Sequence, residues 1–578
     1  MAGVQGKLSN NKKRQIQNLV GQANQACANG RYDACEQLCR RIESLSPGHA
    51  NVANLRGIMC SETNHPDAAI HWLRKAVDAS PNKAEFQLNL ANVYLEQEQY
   101  GEAAGCYQRA IALGRKTLPI ELNYCKALVE SGQYEQALPI LERLHKQHPR
   151  DTDVLMGLVL ASEGLNRFEQ MEAYLQQIFA IDADHAEAHA KKARMALQLG
   201  RMAEAEAEAH RLLSILPDSP TGYDILTYVK KYRDADDPDI GAMTNLYSRS
   251  EPDSKERQAM CFMLGKVMEQ LKLYDRAFAF FAEGNALRHA HSTYDADTEL
   301  ANMENIMAAY TPEVFSRASK VDDPTPIFVL GMPRCGSTLT EQIISSHPDV
   351  ASRGECGCFE SVLAALHSND NPLTLERLTA FTPTQWGEMG LDYVKDLRDG
   401  DSSPLHITDK TLPNIRMAGA IHCALPKAKI VHVRRHPLDT CLSIYKLDLA
   451  GNIFDFGYDL DELGHYYRMY LKLMQHWRDV LPKGVMYELD YEMLVADQEG
   501  ETRRLLDYCG LTWSDACLQF DKAKNVVRTS SMAQVRRGIY TDAMAAWKRY
   551  EKHLQPLIDI LGPAYSTAYQ PGRHPRIT

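Results

Sequence analysis

Two hydrophobic rhythms divide the chain. In the first, apolar residues recur at helical spacing and the whole pattern returns every 34 residues. Small residues fall at Cys35, Ala69, Ala103, Ala137 and Ala205, with Met171 in one copy, and large apolar ones lie four places on at Leu73, Tyr107, Leu141 and Leu175. Pro47, Pro81, Pro149 and Pro217 share the same grid, with Arg115 and Ala183 between them, and so do Tyr32, Tyr100, Tyr134, Phe168 and Met202. Each copy predicts a pair of helices that meet at the small residue and cannot bury their apolar faces alone. From about Pro324 the rhythm changes to short apolar runs alternating with helical stretches, the pattern of a parallel α/β sheet.

The best copy, with Leu90-Ala91, Tyr94, Ala103, Tyr107 and Ala110, resembles the tetratricopeptide repeat. The expected organisation is a tail over 1–15, six repeats over 16–219, and a connecting segment over 220–257 rich in Asp and Pro with some helix of its own. A further, out-of-phase copy at Leu264-Gly265, Met268, Tyr274, Ala277 and Phe281 lies with a linker helix in 258–320. An α/β domain over 322–565 and a tail over 566–578 complete the chain. The fold class is thus multidomain, an all-α solenoid followed by an α/β domain with a parallel sheet. Solenoids of this type present a concave surface that takes a peptide or protein partner; scaffolding or dimerising the C-terminal domain is the other use, and a homodimer stays open.

Charge and cysteine usage narrow the class. A net charge of -11 argues against a general nucleic-acid binder. The N-terminal stretch MAGVQGKLSNNKKRQ is polar, and no apolar run of about 18 residues occurs, so the chain is read as soluble, cytoplasmic and without a membrane segment. Fourteen scattered cysteines do not form a disulfide framework. Cys356-Gly-Cys358 lacks a companion pair at ligand spacing, so no metal site is expected.

The candidate chemistry begins at Pro326 to Glu355. A buried strand, Ile327 to Leu330, ends in Gly331-Met-Pro-Arg334-Cys335-Gly336-Ser337-Thr338 ahead of a helix, a strand, phosphate loop and helix that should hold an anion. The glycines match the spacing of nucleotide-binding loops, but Ser337 stands where the lysine of a nucleoside triphosphatase would be. His347-Pro348 ends the helix. Glu355, after Gly354, is the candidate general base, with an ordinary acid at a helix N-terminus as the alternative. Lys410 closes the strand from Leu405, and Ala428 to Val433 leads into Arg434-Arg435, with Ser443 about two turns into the next helix, suited to a second phosphate. Tyr487 to Leu494 reads as a strand leaving the sheet, and Arg528 to Arg537 as a donor-rich loop ahead of an amphipathic helix around Trp547.

These residues resemble the sulfotransferases that use 3′-phosphoadenosine-5′-phosphosulfate over roughly 324 to 560, most closely the tyrosylprotein branch. The resemblance implies a 5′-phosphosulfate loop at Arg334, Cys335, Gly336, Ser337 and Thr338, and a 3′-phosphate pair at Arg435 and Ser443. It implies Glu355 as catalytic base and Lys410 as catalytic lysine, Tyr491 as a donor contact, and Ser530, Ser531, Gln534 and Val535 as a loop contacting sulfate and phosphate. One departure is Ala546, where a basic residue precedes the tryptophan aligned with Trp547, leaving Lys548 or Arg537 to supply any contact. A repeat array ahead of this domain resembles bacterial tetratricopeptide-repeat sulfotransferases. The expected activity is metal-free sulfuryl transfer to a hydroxyl, with a protein or peptide tyrosine as one candidate acceptor. The rivals are magnesium- and ATP-dependent phosphoryl transfer, and a non-catalytic repeat scaffold that binds nucleotide.

Overall fold

The computed structural model describes residues 10–367, 373–398, 403–449, 452–522 and 544–573. The chain forms two compact units, Met1–Ala188 and His189–Thr578.

The first unit is a run of antiparallel helix pairs: Asn10–Ala28 with Tyr32–Leu45, Ala50–Glu62 with Pro66–Ala79, Ala84–Glu96 with Tyr100–Ala112, Leu118–Glu130 with Tyr134–Gln147, and Thr152–Gly164 with Phe168–Ile181. The small grid residues Cys35, Ala69, Ala103 and Ala137 are all fully buried, and so is the larger Met171. Helices approach closely both within and between pairs: a Cβ built on Gly57 would stand 2.5 Å from Leu73 of the same pair, and one on Gly157 2.7 Å from Leu141 of the pair before. The turn inside each pair has its own 34-residue rhythm, because Gly30, Asn64, Glu98, Gly132, Asn166 and Gly200 all take positive φ. Glycine and asparagine accept that conformation cheaply, whereas Glu98 at φ 57° does not.

In the second unit, one continuous core joins helical hairpins to the α/β sheet, from Ala193 and Tyr223 through Phe281 and Tyr310 to Phe328 and Ile430. After helices Ala186–Gln198 and Met202–Ile215 come two more, Pro220–Val229 and Pro238–Arg249, followed by the out-of-phase hairpin Lys255–Gln270 and Tyr274–His289. This hairpin is built into the α/β domain. Phe278 stacks on Tyr445 (centroids 5.6 Å apart) and on His553 (4.4 Å). The fully buried Asn285 donates to the Tyr445 carbonyl at 2.7 Å, and Lys446 Nζ meets Glu269 at 2.7 Å. Within the compact unit that starts at His189, the hairpin and the sheet bury their apolar faces against each other.

The sheet has five strands, β1 (Pro326–Leu330), β2 (Val350–Ser352), β3 (His406–Asp409), β4 (Lys429–Arg434) and β5 (Met486–Asp490), in the order β2-β3-β1-β4-β5. All pairings are parallel. Central β1 is buried at every position, as a strand covered on both faces must be. Every strand therefore delivers its C-terminal residues to one edge. The stretch Tyr487 to Leu494 differs from expectation: β5 stays in the sheet beside β4, and the chain turns helical at Tyr491–Ala496. Trp547 lies on a short 3₁₀ segment, Ala546–His553.

The positive φ at Glu98 is testable. Glu98→Gly should stabilise the first unit by about 0.5–1 kcal/mol, the left-handed strain relieved less the entropy a glycine loses on folding, read as a raised urea midpoint.

Candidate active site

The turn after β1 is built on close contacts. Gly331 (φ 154°) has the Val433 carbonyl oxygen 2.5 Å from where its Cβ would be, and Gly336 (φ 106°) has the Tyr491 ring at 2.6 Å. Arg334 also lies in the left-handed region, at φ 67°. The loop folds onto itself through Cys335 N and the Met332 carbonyl at 3.2 Å. The Cys335 thiol faces Gly331, and burial raises it to about 11, so it stays protonated at neutral pH. Helix Ser337–Ser345 follows, and its ladder begins with Thr340 N bonding the Gly336 carbonyl at 3.0 Å. The amides of Ser337, Thr338 and Leu339 precede that bond and lie at the positive end of the helix.

β4 ends beside this loop. Arg435 Nη1 donates to the Arg334 carbonyl at 3.1 Å, and Arg334 Nε donates to Ser443 Oγ at 3.0 Å. Ser443 sits on helix Pro437–Tyr445. The Arg435 guanidinium also lies over the Tyr491 ring, 5.0 Å from its centre. The structure thus brings Arg334, Arg435, Ser443 and Tyr491 to one place. Arg434 takes a different direction, toward Asp490 (3.6 Å) and the Arg573 carbonyl (3.0 Å).

On the other side of β1, Lys410 at the end of β3 is 1% exposed and forms an ion pair with Glu355, whose side chain is 49% exposed. The buried cation therefore holds a carboxylate that still reaches solvent. The main chain around Glu355 is held at several points: Arg353 N to the Thr408 carbonyl (3.0 Å), Lys410 N to the Gly354 carbonyl (2.8 Å), and Gly357 N to Thr411 Oγ1 (3.1 Å). Asp409 faces away from this pair, accepting from Tyr393 Oη at 2.9 Å and Thr411 N at 2.9 Å.

Several residues of this neighbourhood carried no motif in the sequence. Glu341, 3% exposed on the loop helix, accepts from Ser352 Oγ, Gly354 N and Thr408 Oγ1. Burial raises its pKa, although the Lys410 charge and these donors pull the other way. Asp439 accepts from Ala545 N (2.8 Å) and Trp547 N (2.9 Å), fixing the residues on either side of Ala546. Trp547 stacks on His436 with centroids 5.4 Å apart, and Lys548 lies over the same indole at 5.9 Å. Helical period alone marks Glu341 as an inward position, and an acid there was the available signal. His347 is tied to the Thr512 carbonyl at 2.9 Å and to Asp349 N at 3.2 Å, a helix-end role. Ser530, Ser531, Gln534, Val535 and Arg537 lie outside the described residues.

Among the described residues no cluster of three or more His, Cys, Asp or Glu side chains is arranged to hold a metal ion, and no helix is long and apolar enough to cross a membrane.

A strand, glycine loop and helix thus stand beside paired arginines, with a lysine and a carboxylate paired at the neighbouring strand end. Comparison with known proteins names the class. Residues 326–515 match the sulfotransferase family, and residues 61–116, 126–178 and 163–220 match the tetratricopeptide repeat. The chain thus matches the sulfotransferase family in its C-terminal part and the tetratricopeptide repeat ahead of it. It is 32% identical to an uncharacterized protein of Aquifex aeolicus, over 64% of this chain and 50% of that one. It is 22% identical to a protein-tyrosine sulfotransferase of Drosophila melanogaster, over 46% of this chain and 58% of the other. The chain spans about half the length of these curated relatives. A solved tetratricopeptide repeat protein from Parabacteroides merdae aligns over 43% of this chain and 95% of its own, at 18% identity and a TM-score of 0.34.

Burial also sets a pH dependence. It lowers the pKa of His422, His432 and His436 below the usual 6.5, to about 4 for His436. A depressed folded-state pKa contributes stability above the unfolded value of 6.5 that is lost as pH falls through it toward 4. The melting temperature should fall over this window. His436→Asn, which keeps an acceptor for Leu438 N, should flatten part of the slope, and an unchanged slope would contradict the assignment.

Proposed function

We propose that this domain transfers a sulfuryl group from 3′-phosphoadenosine-5′-phosphosulfate to an acceptor hydroxyl. The observation that carries the reading is the contact of Arg334 Nε with Ser443 Oγ at 3.0 Å, backed by Arg435 on the Arg334 carbonyl. Two anion positions, one made by the end of β1 and one by the end of β4, adjoin each other. A nucleotide with a phosphosulfate at its 5′ position and a phosphate at its 3′ position needs such an arrangement. The Tyr491 ring fills the place of a Gly336 side chain, so the loop backbone lies directly against Tyr491, which also fits that donor.

Residues Arg334 to Thr338 would take the 5′-phosphosulfate, and Arg435 with Ser443 the 3′-phosphate, beside Tyr491. The Glu355 carboxylate accepts the acceptor's proton while the acceptor oxygen forms a bond to sulfur. The bond from sulfur to the bridging phosphate oxygen breaks, and its electron pair leaves on 3′-phosphoadenosine-5′-phosphate. Lys410, buried against Glu355, and Arg334 neutralise charge that grows on the sulfuryl and bridging oxygens. Ser530, Ser531, Gln534, Val535 and Arg537, outside the described residues, are proposed as contacts to the sulfate and phosphate. A phenol has a pKa near 10, so one positioned carboxylate suffices to remove its proton as the bond forms.

Similarity to a protein-tyrosine sulfotransferase supports a tyrosine peptide as the first acceptor to try, and the repeats support recruitment of a protein partner. All fourteen cysteines are free, which fits a reducing cytoplasm.

The first test is calorimetric titration with 3′-phosphoadenosine-5′-phosphate in EDTA, with ATP for comparison. Micromolar binding of the bisphosphate without ATP binding is expected; magnesium-dependent binding of ATP alone would overturn the reading. Glu355→Gln should lower turnover about 10²- to 10⁴-fold while product-nucleotide affinity is kept. Turnover near wild type in that variant would remove Glu355 as the base.

A further inference from the structure

Helix Ser337–Ser345 is buried along its whole length, and Leu339, Ile343 and Ile344 supply its packing. Glu341 stands among them as a carboxylate in a place where an apolar side chain would pack at lower cost. What it touches explains its presence. A single oxygen, Oε1, accepts from Ser352 Oγ at 2.9 Å, Gly354 N at 3.1 Å and Thr408 Oγ1 at 3.1 Å. Ser352 ends β2, Gly354 immediately precedes Glu355, and Thr408 lies on β3 two residues before Lys410. One acceptor atom on the donor-loop helix therefore ties together the two segments that carry the ion pair.

Gly354 is held from both sides. Its N–H is on Glu341, and its carbonyl accepts Lys410 N at 2.8 Å, with the chain in the left-handed region at φ 59°. Bonds from three separate segments to one buried oxygen fix the turn between them, because leaving any of these groups unpaired in the interior is costly.

We propose that Glu341 is a positioning residue for sulfuryl transfer: through Gly354 and Thr408 it sets Glu355 and Lys410 at a fixed place relative to the donor loop. It touches neither donor nor acceptor. The inference rests on the reading of Glu355 as the base, and the experiment separates the two.

The experiment is a double-mutant cycle in the full chain with E341A, E355Q and the pair combined, alongside E341Q and T408V. Product nucleotide released from 3′-phosphoadenosine-5′-phosphosulfate is measured with p-cresol as acceptor and with water alone, and calorimetry gives the affinity for product nucleotide. E341A should lower kcat about 10- to 100-fold, the scale of a catalytic group displaced by about an ångström, with nucleotide affinity held within about threefold. E341Q, which keeps an acceptor oxygen, should recover most of that loss. The combined variant should be no slower than E355Q beyond about twofold, because residues that act through one another do not add.

If E341A lowered the melting temperature but left kcat at the wild-type value, the residue would be structural and the proposal would fall. Full multiplication of the two losses would overturn positioning alone and leave the base in place. E355Q at the wild-type rate would overturn the base itself. Should E341A fail to fold, T408V still decides the matter, since removing one of the three donors should cut kcat about 2- to 10-fold, and an unchanged kcat would refute the proposal.

Discussion

The site depends on how closely the turn after β1 can lie against the end of β4. With the Val433 carbonyl oxygen 2.5 Å from where a Gly331 Cβ would be, any other residue would push the loop off the strand. That contact is what lets Arg334 reach Ser443 and Arg435 reach the Arg334 carbonyl. Gly336 repeats the constraint against Tyr491. Backbone proximity comes first, and the cluster of cations at one sheet edge follows from it. Each strand is parallel to its neighbours, so the same edge also receives Lys410 and, from the turn after β2, Glu355.

That cluster is steadied from behind by a hairpin of repeat type. Asn285 and Glu269 grip Tyr445 and Lys446 at the end of the helix that carries Ser443, and Glu269 also accepts from Tyr550 at 2.9 Å. Tyr550 lies on the segment that carries Trp547, which Asp439 pins to the same helix. The out-of-phase copy thus differs from the other repeats in its task. Its apolar face is spent on the sulfotransferase-family domain rather than on a further repeat.

Much of this was legible in the sequence where periodicity or a glycine pattern carried it. The small grid residues from Cys35 to Ala205 are buried where helices cross, and the strand, loop and helix at Ile327 to Ser345 form as their pattern implies. Arg334, Arg435 and Ser443 meet beside the ends of β1 and β4, and Lys410 meets Glu355 at the end of β3, because parallel strands deliver their C-terminal ends to one edge. The turn rhythm from Gly30 to Gly200 was visible only in part, since Glu98 occupies a glycine-like place without glycine chemistry. Helical period marked Glu341 as inward, but its partners and those of Asp439 were out of reach: Ser352 Oγ, Gly354 N and Thr408 Oγ1, and Ala545 N and Trp547 N, are distant in sequence, and no local pattern encodes them. The extent of the second unit was equally hidden, because an apolar helix face does not reveal which surface will cover it.

In the proposed function, a single bisphosphate nucleotide bridges the ends of β1 and β4. A crystal structure of the full chain with 3′-phosphoadenosine-5′-phosphate tests it most directly. The account predicts the 5′-phosphate on the Arg334 to Thr338 loop and the 3′-phosphate on Arg435 and Ser443, with Arg334 between them. A nucleotide bound elsewhere, or held by the loop with Arg435 and Ser443 untouched, would contradict it.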